Sequence, residues 1–220
     1  MTLTLYHPFA SFCQKALIAF YENDVPFERK IIDLGDPEQR AALARLWPLA
    51  KFPVLRDEAR VVTLPESSLI VEYLGRHRPG PVALVPADPE AAMRVHLWDR
   101  FFDNYVHVPM QRIVADHLRP AGRGDAEGVA QAKTQLAVAY AMLDAKLGAG
   151  GWATGGAFTL ADCAAAPALF YANIVLPLGD QDQLAAYYQR LLAPPSFARV
   201  VEEARPHRAL FPMPWPAAYG

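Results

Sequence analysis

The sequence predicts an α/β domain with a mixed sheet, followed by an all-α helical bundle. Strand and helix patterns alternate over residues 1–78, prolines cluster at 79–89, and strand patterns stop after that cluster. The order β-α-β-α-β-β-α in the first part requires parallel and antiparallel strands in one sheet, with helices packed on it. We therefore expect domains at 1–78 and 90–220, joined by a Pro-rich linker at 79–89.

The first domain shows short alternating or β-branched runs, typical of strands, between stretches with helical spacing of apolar residues. Asp36 and Pro37 form a typical helix start, because Asp accepts first-turn N–H groups and Pro has none to leave unsatisfied. Residues 52–55 and 60–63 predict a hairpin around Asp57. The other strands are expected at 2–6 and 27–32, and the helices at 11–22, 37–46 and 66–76.

Helical spacing dominates the second domain. A long helix at 90–117 is expected to kink near Pro109, which cannot donate a backbone hydrogen bond. Thr159 to Asp162 is a capping box that we interpret as structural, with Phe158 as its hydrophobic staple. The nearly all-apolar helix that follows is expected at the centre of the bundle. The helices after the first are expected at 125–147, 160–176, 183–192 and 196–204, followed by an aromatic, Pro-rich tail at 211–220.

The composition is that of an ordinary soluble globular protein of 220 residues, with 53% hydrophobic residues and a formal net charge of -2. No block of Lys or Arg indicates a nucleic-acid or membrane partner, and the first residues do not form a signal peptide. Two distant cysteines, Cys13 and Cys163, suggest no disulfide framework and a reducing cytoplasm. The histidines show no metal-binding spacing, so we expect no metal site.

A first candidate site lies at the predicted turn from strand to helix, which carries Ser11 and Cys13. A helix start presents unpaired N–H groups and positive potential, which stabilise an anion or a thiolate. A serine hydroxyl at that place can also donate to a bound thiolate. The alternative is structural: Ser11 caps the helix and Cys13 packs in the core. Taken alone, the pattern favours that alternative.

Two further candidates follow along the chain. Pro53 forces Phe52 into an extended conformation, and a cis bond between them would let the Phe52 backbone pair with an extended peptide; the alternative is an ordinary edge-strand proline. Ser67 at a helix start can bind a carboxylate, and Glu66 beside it can accept an ammonium group. Together they suit the head of a free amino acid, although acidic residues also favour helix starts in general.

In their order, these pieces resemble the cytosolic glutathione transferases. The resemblance rests on Ser11, Cys13 and Lys15 at the first turn, K-F-P-V-L at 51–55, P-E-S at 65–67, the Pro-rich linker, and T-L-A-D at 159–162. It is closest to bacterial Ser/Cys-type members, similar to the theta and zeta classes. It implies a thioredoxin-like glutathione-binding domain, a helical substrate-binding domain, and a cytoplasmic homodimer. Reduced glutathione is the implied co-substrate, with no prosthetic group, in detoxification-type conjugation to small apolar electrophiles.

The resemblance also implies roles for single residues. Pro53 matches the family's cis-proline, so that Phe52, where valine is more usual, pairs with the cysteinyl backbone of glutathione. Glu66 and Ser67 match the pair that holds the γ-glutamyl head, and Lys51 lies where related enzymes approach the glycine carboxylate. For the electrophile pocket, which core packing could equally explain, the candidates are Phe9, Tyr105, His107, Met110, Arg112, Phe211, Met213, Trp215 and Tyr219.

One position departs from the family pattern. The activating Ser or Cys is expected at residue 10, which is Ala10 and has no hydroxyl or thiol to donate. Either Ser11 takes over after a shift of one residue, or Tyr6 supplies a phenol, or the backbone N–H groups act alone, or activity is low. We favour Ser11 and keep Tyr6 and Cys13 as further catalytic candidates. A glutaredoxin-like reaction is disfavoured, because it needs a thiol at this position.

Two other functions remain open, together with one variant of the glutathione transferase reaction. A non-catalytic, glutathione-dependent ligand-binding or regulatory protein is favoured by Ala10 itself. A scaffold for partner proteins would be indicated by failure to bind glutathione. An isomerase similar to the zeta class is disfavoured, because Ala10-Ser11-Phe12 stands where that class has Ser-Ser-Cys.

Overall fold

The computed structural model describes residues 3–33, 35–148 and 150–215. The chain divides into two compact units, Met1–Pro86 and Ala87–Gly220. The division falls within the Pro-rich segment that the sequence predicts as a linker.

The first unit contains a four-stranded mixed sheet in the order β2-β1-β3-β4. Strand β1 pairs with β2 in parallel and with β3 antiparallel, and β3 pairs antiparallel with β4. In this register Leu5 lies opposite both Arg29 and Leu55. The predicted mixed sheet is therefore confirmed, with strands β1 (Leu3–His7), β2 (Glu28–Ile31), β3 (Val54–Asp57) and β4 (Val62–Pro65).

The described residues of this unit also form helices α1 (Ser11–Glu22), α2 (Pro37–Leu46) and α3 (Ser67–His77). Helix α2 begins as predicted, because the Asp36 carboxylate accepts the backbone N–H groups of Glu38 and Gln39. Helices α1 and α3 pack against each other, so their first turns belong to the same part of the unit. The core is formed by side chains of the sheet and of these two helices: Leu3, Leu5, Leu17, Phe20, Leu55, Ile70 and Leu74.

The named elements in the described part of the second unit are all helical, apart from an isolated bridge between Trp152 and Gly155. The long helix predicted at 90–117 is instead three segments: α4 (Pro89–Phe101), a π-helical segment (Phe102–His107) and α5 (Val108–His117). The interruption precedes Pro109, whose missing N–H removes one hydrogen bond of the regular ladder. The remaining elements are α6 (Ala126–Lys146), α7 (Leu160–Val175), α8 (Asp182–Leu192), α9 (Pro195–Ala204) and a 3₁₀ helix (Arg205–Leu210).

The capping box starts the central helix α7, as predicted. The buried Asp162 carboxylate accepts the backbone N–H groups of Thr159 and Ala153, each at 2.8 Å. It also accepts the hydroxyl of Tyr187 from α8 at 2.7 Å. Phe158 packs edge-to-face on Trp152 in the preceding loop, with ring centroids 4.9 Å apart. One carboxylate therefore organises the start of α7, the loop before it and α8.

Among the helices within the described ranges, none has the length and apolar character needed to cross a membrane.

Candidate functional site

The start of α1 carries the first predicted site. Ala10 is the N-cap, with extended dihedral angles (φ -84°, ψ 157°), and it provides no side-chain hydrogen bond. Its carbonyl accepts the N–H groups of Cys13 and Gln14 at 2.9 and 3.0 Å. Ser11 is the first helical residue and only 7% exposed. The alternative in which Ser11 caps the helix is therefore wrong: the cap position is one residue earlier, where alanine cannot donate or accept through its side chain.

Cys13 lies two residues after Ser11 in the first turn of α1, with no exposed surface. Burial raises the pKa of its thiol well above the usual value, and this effect outweighs the opposing hydrogen bond with Ala10. The thiol is therefore protonated and out of reach of a co-substrate, which argues against Cys13 as a catalytic group.

Tyr6 lies near the end of β1. Side chains alternate along a strand, so Tyr6 lies on the face of the sheet opposite to that of Leu3 and Leu5. The Nζ atom of Lys30, its neighbour on β2, is 5.8 Å from the centroid of the Tyr6 ring. The phenol thus lies beside a cation on a half-buried face, and it remains an alternative to Ser11.

The segment before β3 carries the second candidate site, with a cis peptide bond between Phe52 and Pro53. Lys51 is exposed and Phe52 is half-buried. The carbonyl of Trp47 accepts the N–H of Ala50 at 2.8 Å, so a tight turn joins the end of α2 to Lys51. The buried Trp47 Nε1 has no hydrogen-bond partner among the described residues. Sequence reasoning missed this donor; a tryptophan four residues before Lys51 was the available signal.

The start of α3 carries the third candidate site. Glu66 is the N-cap, with a positive φ of 72°, and its side chain is exposed. Ser67 and Ser68 follow as the first two helical residues, and both are buried. Non-glycine residues in such conformations are strained and cluster at functional sites. An exposed carboxylate here stands directly beside a helix start that attracts anions.

Lys15 links the two helix starts. It lies one turn after Ser11, is only 1% exposed, and donates from Nζ to the Oγ of Ser68 at 2.8 Å. In the sequence, Lys15 is part of the motif at the first turn, but no role for it was predicted.

The residues predicted for the electrophile pocket on the first long helical segment differ in burial and in their neighbours. Tyr105 is 58% exposed and contacts Phe101, whereas Met110 is 2% exposed and belongs to the core. Arg112 turns toward Asp125, with 3.6 Å between Nη2 and the carboxylate. The three side chains thus have different surroundings, and their grouping around an electrophile stays a prediction.

The other pocket candidates have different surroundings. Phe9 packs edge-on against His7, with ring centroids 5.2 Å apart. Trp215 packs on Phe170 of α7 at 5.5 Å, and its buried Nε1 has no hydrogen-bond partner within the described part of the chain. Phe211 contacts Tyr171 of α7 at 4.8 Å. His107 is buried, Met213 is half-buried, and Tyr219 lies outside the described residues.

Two family models cover much of the chain. The glutathione S-transferase N-terminal domain matches residues 5–82, and the glutathione S-transferase C-terminal domain matches residues 126–190. The chain belongs to the glutathione S-transferase family. The predicted family and the predicted enzyme class, glutathione transferase, are confirmed.

Curated relatives lie at moderate identity. The glutathione S-transferase-like protein LUC7 of Fusarium sp. is 30% identical over 69% of this chain and 66% of its own length. Human glutathione S-transferase theta-1 is 38% identical over 38% of this chain and 34% of its own length. Glutathione S-transferase GstB of Escherichia coli K12 is 26% identical over 86% of this chain and 91% of its own length.

Solved structures extend the likeness over almost the whole chain. A glutathione S-transferase of Methylobacillus flagellatus with glutathione bound has a TM-score of 0.82 at 25% identity, covering 90% of this chain and 98% of that one. A glutathione S-transferase of Methylobacterium radiotolerans, in complex with glutathione sulfonate, has a TM-score of 0.78 at 27% identity, covering 91% of this chain and 94% of that one. Human glutathione S-transferase T1-1 has a TM-score of 0.79 at 26% identity, covering 93% of this chain and 88% of that one. The predicted thioredoxin-like and helical architecture is confirmed.

Proposed function

We propose that this protein conjugates the thiolate of reduced glutathione to small apolar electrophiles. The observation that carries the proposal is the start of α3, where the exposed Glu66 at φ 72° stands beside the buried Ser67. Glutathione begins with a free amino-acid head that bears one ammonium and one carboxylate group. Glu66 would accept the ammonium group, while Ser67 and the first N–H groups of α3 would donate to the carboxylate.

The rest of the tripeptide would run toward the cis peptide bond. The backbone of Phe52 is proposed to pair with the cysteinyl unit in an extended strand-like contact. Lys51 would approach the glycine carboxylate, and the Nε1 of Trp47, buried without a partner among the described residues, is a further candidate donor. Support comes from the glutathione and glutathione sulfonate that two structurally similar proteins hold.

Activation of the thiol is assigned to the start of α1. A free thiol has a pKa of about 8.5, so only a small fraction is thiolate at neutral pH. The positive helix start and the hydroxyl of Ser11 would favour the anion and lower this pKa. The thiolate sulfur then attacks the electrophilic carbon. The electron pair of the broken bond leaves with the halide of an aryl halide, or moves to the ring oxygen of an epoxide or to the neighbouring carbon of an activated alkene, and the last two products take up a proton. Binding both reactants side by side adds the advantage of proximity.

The test is a titration with glutathione at neutral pH, followed through the ultraviolet absorbance of the thiolate. A saturable rise in absorbance, together with conjugation of aryl halides, epoxides or activated alkenes, is the expected result. A protein that shows no glutathione binding and no turnover would refute the proposal. Calorimetry on the same sample distinguishes lack of binding from binding without ionisation.

A second candidate function is non-catalytic glutathione-dependent binding or regulation. Ala10 favours it, because the N-cap of α1 has no side-chain donor for a sulfur. In that case calorimetry would show saturable glutathione binding while the thiolate absorbance stays flat and no electrophile reacts.

A homodimer is also proposed. Exposed apolar side chains lie on α4 at Met93 and Leu97, and on α6 at Val138 and Met142. The Nζ atom of Lys146 is 4.7 Å from the ring of Trp98, which places the end of α6 beside α4. Apolar surface of this kind often marks an interface, and a second copy of the chain is the proposed partner. A cytoplasmic location is proposed as well, since Cys13 and Cys163 are both unbridged.

A further inference from the structure

The contact to explain is the hydrogen bond from Nζ of Lys15 to Oγ of Ser68, 2.8 Å long and buried. Lys15 is among the largest side chains that are fully enclosed in the protein. Taking a cationic group out of water is unfavourable by several kcal/mol unless polar partners replace the solvent. An apolar side chain of similar length would fill the same space without that penalty. Polar contacts, of which the bond to Ser68 is one, and not the filling of space therefore distinguish lysine at this position.

The two ends of this bond lie at the starts of two helices. Lys15 follows Ser11 by four residues, which places both on the same face of α1. Ser68 is the second residue of α3 and directly follows Ser67. The bond therefore joins the helix start proposed for the sulfur to the helix start proposed for the γ-glutamyl head.

Apolar packing alone leaves the alignment of these helix starts loosely defined. The packed helices bury small and aliphatic side chains, including Ala16 and Ala19 on α1 and Ile70 and Val71 on α3. Hydrophobic contacts of this kind are non-directional, whereas a hydrogen bond restricts both distance and angle. Since Lys15 and Ser68 are 53 residues apart, their bond is a directional restraint between the first turn of α3 and α1.

We propose that Lys15 is a positioning residue for glutathione, acting through Ser68. The inference rests on the proposed function, because it requires one ligand to contact both helix starts. A ligand held at two points tolerates little change in the distance between them, and a small displacement weakens binding and misplaces the reacting atom. Loss of the bond should therefore appear in glutathione affinity and in thiolate formation more than in the stability of the fold.

The experiment compares K15M, S68A, the double variant K15M/S68A and K15R with the wild-type protein. K15M keeps the length of the side chain, and the double variant removes both partners so that neither is left buried without the other. We expect K15M and S68A each to raise the Kd for glutathione about tenfold, and the double variant to be no worse than K15M. K15R should recover part of the affinity. The control S196A changes a buried serine of the second unit and should leave the Kd unchanged.

The readouts are Kd by calorimetry, thiolate absorbance of bound glutathione, and midpoint of thermal unfolding. An unchanged Kd in K15M and S68A would overturn the inference and leave the proposed function intact. Weak binding in K15M with a silent S68A would also overturn it, since the charge would then act without Ser68. If K15M fails to fold, S68A decides by the same criteria. A wild-type protein that binds no glutathione would overturn both this inference and the proposed function.

Discussion

The hydroxyl of Tyr187 on α8 donates to Oδ1 of Asp162 at 2.7 Å, directly beneath the capping box that starts α7. Burial raises the pKa of Asp162, and the hydrogen bonds from Ala153, Tyr187 and Thr159 oppose this effect. The same carboxylate thus serves as cap, loop anchor and contact between helices. The hydrogen bonds that this carboxylate accepts all come from residues of the second unit, which supports the structural interpretation of the capping box.

Replacing Asp162 should destabilise the second unit strongly. D162A removes the acceptor for two backbone N–H groups and for the Tyr187 hydroxyl, so we expect a loss of about 3 kcal/mol in the free energy of unfolding. T159A should lose only about 1 kcal/mol, the usual effect of a removed cap. Denaturant unfolding of both variants measures the difference. Equal, small losses in the two variants would contradict the anchoring role of the carboxylate.

A second prediction concerns pH and Asp57 at the end of β3. Burial favours the neutral form, but the Tyr73 hydroxyl, the backbone N–H groups of Arg60 and Ala59, and the Arg60 side chain together lower the pKa of Asp57. The unfolded chain therefore takes up the proton first as pH falls. The stabilisation is fully present above about pH 4 and is lost as pH falls through the lower folded pKa.

Unfolding of D57N across acidic pH tests this prediction. D57N should be less stable at neutral pH by about 2 kcal/mol and should show a flatter dependence on pH below 4 than the wild-type protein. Y73F removes one donor and keeps the carboxylate, so it should give an intermediate pH profile. A D57N curve that runs parallel to that of the wild type would contradict the assignment.

A third prediction concerns the group that meets the sulfur. S11A should lower kcat about 100-fold and raise the pKa of bound glutathione, with a smaller change in its KM, because the hydroxyl acts mainly on the anion. A10S places a hydroxyl at the N-cap of α1, where it can donate to the same anion, so A10S/S11A should recover part of the lost activity. The pH dependence of kcat/KM for the electrophile, measured at saturating glutathione, provides the pKa of the bound thiol in each variant.

The control for Ser11 is Y6F, which removes the phenolic hydroxyl and keeps the ring that Lys30 faces. Loss of kcat in Y6F with an unchanged S11A would transfer the role to Tyr6. Equal losses of kcat and of glutathione affinity in S11A would refute a specific role in activation.

A fourth prediction separates the side chain of Glu66 from its backbone. E66Q loses the negative charge, while E66G also relieves the strain of the positive φ. If the carboxylate holds the ammonium group of glutathione, both variants should raise the KM for glutathione about tenfold with little change in kcat. S67A should act in the same direction. An E66G variant with unchanged KM would show that the carboxylate does not hold the ammonium group.

A fifth prediction concerns assembly. L97D introduces a charge into the exposed apolar surface of α4, and the measured mass in solution should fall from that of a dimer to that of a monomer. The matched control is L118D, which changes an exposed leucine at the end of α5. Light scattering at several concentrations measures both. A monomeric wild-type protein, or a dimeric L97D, would contradict the proposed interface.

Much of the secondary structure of this protein could be predicted from its sequence, because it depends on local interactions. The helix start at Asp36 and Pro37, the hairpin around Asp57 and the capping box at Thr159 each depend on a few adjacent residues, so the sequence predicts them directly. The strand and helix order predicts a mixed sheet in the same way, because period 2 and period 3.6 patterns are local.

Features that join distant residues were decided only by the tertiary structure. The bond between Lys15 and Ser68 links residues 53 apart, and no local pattern specifies it. The directions of Met110 and Arg112, and the exact place where the long helix is interrupted, depend on which neighbours pack around them. The burial of Cys13 likewise follows from the helices and sheet that enclose it, and that enclosure keeps its thiol protonated. Periodicity specifies which face of an element is apolar, but only packing decides what that face meets.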